Sequence, residues 1–237
     1  VALKRIWIPS PNYSSRGNSS VRLIVLHTAE GSRTYQSLGN FFASPSSGVS
    51  SHVGIDDTPN TVGEYVVRGN KAWTQGNANP IAVSAELCAF AAWSVTEWMN
   101  HPVMLTNVAA WLAEEASKFQ IPLVRLTPAQ AQGSGIGVCE HVDLGSWGGG
   151  HTDCGPNFPI DDVIAVAKGS LPEKKGMSVG MFIKYQNKIW QQCPVGTGNG
   201  WYWRQVPKAP TNYPVEDDDG TFFNMWQHQE SGKLVNP

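Results

Sequence analysis

Four consecutive apolar residues, Leu23-Ile24-Val25-Leu26, run without alternation, the pattern of a strand covered on both faces. His27-Thr28 ends the run and Gly31 follows. A helix is predicted over 34–42, closed by the breaker-rich stretch 44–50. Residues 52–56 and 61–67 flank Asp57-Thr58-Pro59-Asn60, and that turn chemistry predicts a hairpin. Another strand is expected over 81–90, after Gly76, Asn77, Asn79 and Pro80. The clearest helical periodicity covers 102–119, where Leu105, Val108, Leu112 and Phe119 fall close to one face. Glu114, Glu115 and Lys118 fall outside that face. Pro102 suits a first helical turn, with Asn100 or His101 before it. A short helix over 127–132, a strand over 138–142 and a glycine-rich loop over 145–150 follow. A closing helix over 159–168 has Gly169 as its stop.

Strands and helices thus interleave over 21–169, which predicts an α/β fold with a mixed central β-sheet flanked by helices. One domain is expected over 1–169 and a polar linker over 170–176. Beyond it the composition shifts to aromatic and turn residues, so 177–237 reads as a small, separate, β-rich module. Its Trp201-Tyr202-Trp203 run suits either sugar stacking or the packing of a small core.

Composition narrows the function classes. Of 237 residues, 41% are apolar and 15% charged, with a net charge of −2. A sizeable core is available, and no basic stripe points to nucleic acid. No apolar run approaches the ~18 residues of a membrane span, and the first residues lack the apolar core of a signal peptide. A monomer with neither nucleic-acid nor membrane partners is expected. Cys88, Cys139, Cys154 and Cys193 form no C-x-x-C pair, so free or buried thiols are expected rather than a zinc ribbon.

Three potential metal ligands sit at segment ends. His27 closes the buried strand, while His141 and Asp153 bracket the glycine-rich loop. Two histidines and a carboxylate leave one tetrahedral position open, the layout of a catalytic zinc (Zn2+) that lowers the pKa of water to about 7. Spacing alone leaves the plainer alternative open, since a lone strand-end histidine is commonly a hydrogen-bonded structural residue.

The run Leu23 to Thr28 resembles the opening of the type 2 N-acetylmuramoyl-L-alanine amidase family, which includes peptidoglycan recognition proteins and a phage lysozyme. Ser51-His52-Val53-Gly54-Ile55-Asp56 resembles that family's second strand, and Ala72-Trp73-Thr74-Gln75-Gly76 its Ala-Trp-His-Ala-Gly stretch. Ser84-Ala85-Glu86-Leu87 resembles its Gly-Ile-Glu-Leu strand, and His151-Thr152-Asp153-Cys154-Gly155-Pro156 its final metal segment. The pieces occur in the family's order across 21–169, and the segment 98–122 with the last motif looks most like endolysins of phages that infect actinobacteria.

The resemblance implies that His27, His141 and Asp153 are zinc ligands and Glu86 the general base. It implies peptidoglycan as substrate, synthesis in a host cytoplasm without a visible signal peptide, and action on the cell wall. Thr74 stands where many relatives carry His, Cys154 where a Pro is usual, and His151 where many use Lys. His151 is therefore expected to stabilise the oxyanion, a task that a protonated His or a Lys can both perform. A ligand set with His151 or Cys154 in place of Asp153 stays open. His52, Trp73 and Thr74 are possible substrate contacts, though His52 and Trp73 also fit structural roles. His101 and His228 are expected at the surface, and Glu140 or Asp143 is placed to orient His141. A binding-only recognition protein and a muropeptide-recycling amidase are the alternatives on the same scaffold.

Overall fold

Strands β1 (Lys4–Trp7) and β2 (Tyr13–Ser15) lead into β3 (Leu23–Thr28), which is buried along its whole length. Helix α1 (Tyr35–Phe42) follows, then β4 (Val53–Ile55), β5 (Thr61–Glu64), β6 (Asn70–Ala72) and β7 (Ala82–Leu87). Helices α2 (Val95–Met99), α3 (Pro102–Phe119) and α4 (Pro128–Gln132) precede β8 (Gly137–Glu140), and α5 (Ile160–Ala167) closes the series. The computed structural model describes residues 3–169 and four strands between 182 and 217. The chain divides into two compact units, Val1–Leu171 and Pro172–Pro237.

In the first unit six strands form one mixed sheet in the order β1-β5-β4-β7-β3-β8. The central strands β4, β7, β3 and β8 run parallel, while β4 and β5 pair antiparallel as the hairpin predicted from their turn. Along β3 the side chains alternate: Ile24 and Leu26 enter the larger apolar cluster, with Val83, Trp98, Trp111 and Leu112. Leu23 and Val25 enter a smaller one, with Ala82, Cys139 and Leu144. His27 continues the second series, so the strand's period of two aims it to the side of the smaller cluster. Along β7 the same count aims Ser84 and Glu86 with Ala82.

Several elements differ from the expected ones for identifiable reasons. The apolar run 81–90 yields strand only to Leu87, because Cys88 and Ala89 stay buried after pairing ends. The last strand stops at Glu140, and His141 opens a 3₁₀ segment, His141–Gly148. Strand β1 carries no apolar alternation because it lies at the sheet's edge, partly exposed, with Lys4 and Arg5 followed by Ile6 and Trp7. In α3 the buried stripe includes Glu115 as well as Val108, Trp111 and Leu112. Arg68 makes that possible, its Nε donating to both Glu115 oxygens at 2.6 and 2.7 Å. His101 stands at the N-cap position of α3 and is partly buried, its ring stacked on Trp93 at 4.4 Å and paired with Asp57.

Of the tight approaches that need glycine, two are the closest. A Cβ on Gly54, the register partner of Glu86, would fall 2.1 Å from Tyr65 Oη. Gly155 has φ +91, and a Cβ there would meet the Ala91 carbonyl at 1.9 Å.

The second unit contains β9 (Phe182–Tyr185), β10 (Lys188–Val195), β11 (Gly200–Val206) and β12 (Val215–Asp217). They form a four-stranded sheet, β11-β10-β9-β12. The expected linker 170–176, His228, and the side chains of Cys193, Trp201, Tyr202 and Trp203 lie outside the described residues.

Candidate metal centre

The parallel strands bring His27, near the end of β3, and His141, just past β8, to the same carboxyl end of the sheet. The segment after the glycine-rich loop returns Asp153 to them, and Val142 N–H donates to the Asp153 carbonyl at 2.8 Å. The two Nδ1 atoms lie 2.9 Å apart. Asp153 Oδ2 is 3.3 Å from His27 Nδ1, and its Oδ1 is 3.2 Å from His141 Nδ1. All three residues are buried. Among the described residues this is the group of three or more His, Cys, Asp or Glu side chains placed to hold a metal ion.

The outer ring nitrogens are already committed. His27 Nε2 donates to Gln75 Oε1 at 3.2 Å, and His141 Nε2 donates to the Gly148 carbonyl at 2.9 Å. Each ring thereby turns its Nδ1 lone pair inward, where two lone pairs and a carboxylate meet. A metal cation shared by all three reconciles acceptors at that separation. Burial lowers the proton affinity of His27, despite the neighbouring Asp153. The residues present therefore fit a divalent ion better than a proton.

Glu86 is the register partner of His27 across β3 and β7. Its Oε2 is buried without a protein partner. Burial first, then the carboxylates of Asp153 and Glu30, push its pKa up to about 8. His151 is exposed, and its ring stacks on His141 at 4.5 Å with 13° between planes. Cys154 points away from the group into the large apolar cluster. Of the rivals Asp153, His151 and Cys154, Asp153 brings a ligand atom into the group.

His52 is buried and spends both ring nitrogens on the fold. Ser84 N–H donates to Nδ1 at 3.1 Å, and Nε2 donates to the Asn70 carbonyl at 3.1 Å. Ser84 Oγ in turn meets Thr74 Oγ1 at 3.0 Å, and Thr74 donates to the Ser50 carbonyl at 2.7 Å. Trp73 is 37% exposed, its Nε1 donating to Ser14 Oγ at 3.0 Å. Neither Glu140 nor Asp143 orients His141. Asp143 accepts from the Glu140 N–H at the start of the 3₁₀ segment, and Glu140 pairs with Arg125. The Gly148 carbonyl meets His141 Nε2 instead, and Gln75 Oε1 meets His27 Nε2. Both were missed in the sequence. A main-chain carbonyl leaves no sequence signal; Gln75 left one, a long amide where the family pattern has Ala.

Fold and donor set together define an α/β protein in which three residues that could hold a metal ion meet at the carboxyl ends of parallel strands. The chain belongs to the N-acetylmuramoyl-L-alanine amidase family, whose model matches residues 17–156. Among solved structures it is similar to the Staphylococcus aureus hydrolase AmiA, with 14% identity and a TM-score of 0.52, over 71% of this chain and 84% of that one. It is likewise similar to the N-acetylmuramoyl-L-alanine amidase LysC of Clostridium intestinale, with 17% identity and a TM-score of 0.51, over 70% of this chain and 97% of that one. At such identities the likeness establishes the fold. No curated protein matches the sequence. Among the described residues no helix is long and apolar enough to cross a membrane.

Proposed function

We propose that this chain hydrolyses the amide between N-acetylmuramic acid and L-alanine in bacterial peptidoglycan, with zinc held by His27, His141 and Asp153. The observation that carries the reading is the convergence of two inward-facing Nδ1 atoms and a carboxylate in a chain of the amidase family. Two neutral imidazoles and one carboxylate suit zinc and leave a position open toward substrate. Bound zinc supplies Lewis acidity to the scissile carbonyl and to water.

The chain's own groups carry the protons. Glu86, beside His27 with a free buried oxygen, takes a proton from the attacking water and delivers it to the nitrogen of L-alanine as the C–N bond breaks. Its affinity for a proton, raised by burial, suits it to hold the proton between those steps. His151, above His141, donates a hydrogen bond to the carbonyl oxygen as negative charge grows there. Trp73 and Thr74 contact the substrate, and His52 supports Thr74 from beneath through Ser84.

In the wider reading the protein is a phage endolysin, made in the host cytoplasm and acting on the wall. The module over 177–237 holds it there and so raises the local substrate concentration. Purified walls incubated with the protein should lose turbidity and gain free L-alanine amino termini. Chelation should stop both, and zinc should restore them. Full activity after verified metal removal would overturn the zinc assignment. Cleavage of soluble muropeptides with intact walls untouched would point to a recycling amidase. Wall binding without new amino termini would point to a recognition protein.

A further inference from the structure

We infer that Gln75 is the positioning residue of the metal centre: it fixes the ring of His27 with its proton on Nε2 and thereby presents Nδ1 to the ion. The inference rests on the zinc reading above and extends it to a residue outside the ligand set. Gln75 is fully buried, and its Oε1 lies 3.2 Å from His27 Nε2. A reversed amide would set an NH2 group against the ring N–H, so the ring's proton and the amide's orientation determine each other. The other amide atom, Nε2, has no protein partner. The cost of that unmatched buried donor is offset by the bond that the oxygen makes to His27.

The surrounding backbone holds the amide in place. Asn79 Oδ1 accepts from the N–H groups of Thr74 and Gln75 at 3.1 and 2.8 Å. Arg16 Nη1 donates to the carbonyls of Asn79, Pro80 and Ala82 at 3.2, 2.7 and 2.9 Å, which pins the same turn to the start of β7. Gln75 is thus carried on a braced turn and aimed at a ring that is itself buried. A group that orients a metal-binding histidine through its second nitrogen sets both ring direction and ligand basicity.

The test compares Gln75→Met, which keeps the bulk and removes the acceptor, with Gln75→Glu, which keeps bulk and acceptor. Zinc affinity is read by competition with a chromophoric chelator. Gln75→Met should bind zinc about 10- to 100-fold more weakly than wild type. Gln75→Glu should stay within a few-fold of wild type. Nitrogen-15 spectra of the metal-free protein should show the His27 proton on Nε2 in wild type and Gln75→Glu, and a redistribution toward Nδ1 in Gln75→Met. Unchanged affinity in Gln75→Met, or equal weakening in both variants, would overturn the inference, as would a wild-type ring protonated on Nδ1. Should Gln75→Met fail to fold, the Gln75→Glu affinity and the wild-type ring spectrum decide it. Absence of zinc binding in wild type would count against the proposed function instead, and the ring spectrum would still judge Gln75.

Discussion

His27 and His141 are 114 positions apart in the chain, yet their Nδ1 atoms lie 2.9 Å from each other with the rings edge to face. A cation shared by the two rings accounts for inward lone pairs at that distance. Substituting alanine for His27, His141 or Asp153 should therefore cost more zinc affinity than the roughly 10- to 100-fold that loss of a supporting residue costs. Metal analysis after dialysis, with circular dichroism to confirm folding, checks this. Should Asp153→Ala keep its zinc while His151→Ala loses it, the third ligand has been misassigned.

Glu86→Gln should retain zinc and lose turnover by about 10²- to 10⁴-fold, the scale of a missing general base. The substitution also has a signature that does not depend on activity. In the metal-free protein the folded-state pKa of about 8 exceeds the ordinary value of 4.5. The folded state therefore binds the extra proton between those pH values, and wild-type stability falls as pH rises through them. The stability of Glu86→Gln relative to wild type should grow by on the order of 2 kcal/mol from pH 5 to pH 7. Urea unfolding at the two pH values measures it, and a flat difference would mean that Glu86 is solvated.

His151→Ala should keep stoichiometric zinc, because its ring stacks on His141 without joining the ligand group. Turnover should drop by roughly 10²- to 10³-fold, the loss seen on deleting one oxyanion donor. His151→Lys retains a donor that stays charged to higher pH. It should recover part of the rate and move the alkaline limb of the pH profile upward. Wild-type turnover in His151→Ala would reduce the stacked ring to a packing role.

His52 gives a stability prediction of the opposite sign to Glu86. Burial, the largest effect, lowers its pKa from 6.5 to about 3. Below pH 6.5 the unfolded chain takes up a proton that the folded chain refuses, so stability declines as pH falls toward 3. From pH 7 to pH 5 the His52 contribution should fall by about 2 kcal/mol. The stability advantage of wild type over His52→Gln should shrink by that amount. An advantage independent of pH would show that the ring protonates readily in place.

The strand that carries His27 could be read directly, because an unbroken run of Leu23, Ile24, Val25 and Leu26 has no other inexpensive place than the middle of a covered sheet. The α3 helix, the β4–β5 hairpin and the order of alternating elements were legible for the same reason: each rests on neighbours close in sequence. Family motifs marked His27, Glu86, His141 and Asp153 as a set. Glu115 was misread, since periodicity cannot see that Arg68, 47 positions away, waits across the helix to satisfy it. The short edge strand β1 gave no pattern because half-exposed edges impose none.

The sequence by itself determined where most elements lie, that 52–56 and 61–67 form a hairpin, and which residue types are available for chemistry. Only the tertiary structure decided how the side chains are aimed. It turned both imidazoles by spending their Nε2 protons on Gln75 and on the Gly148 carbonyl. It sent Cys154 into the core and left Asp153 in the group. It committed His52 to Ser84 and Asn70. The physical reason is one of range. Hydrophobic periodicity is a local property of the chain, whereas a hydrogen bond needs its two partners within about 3 Å and correctly oriented. Those partners here come from segments that meet only after the sheet has formed.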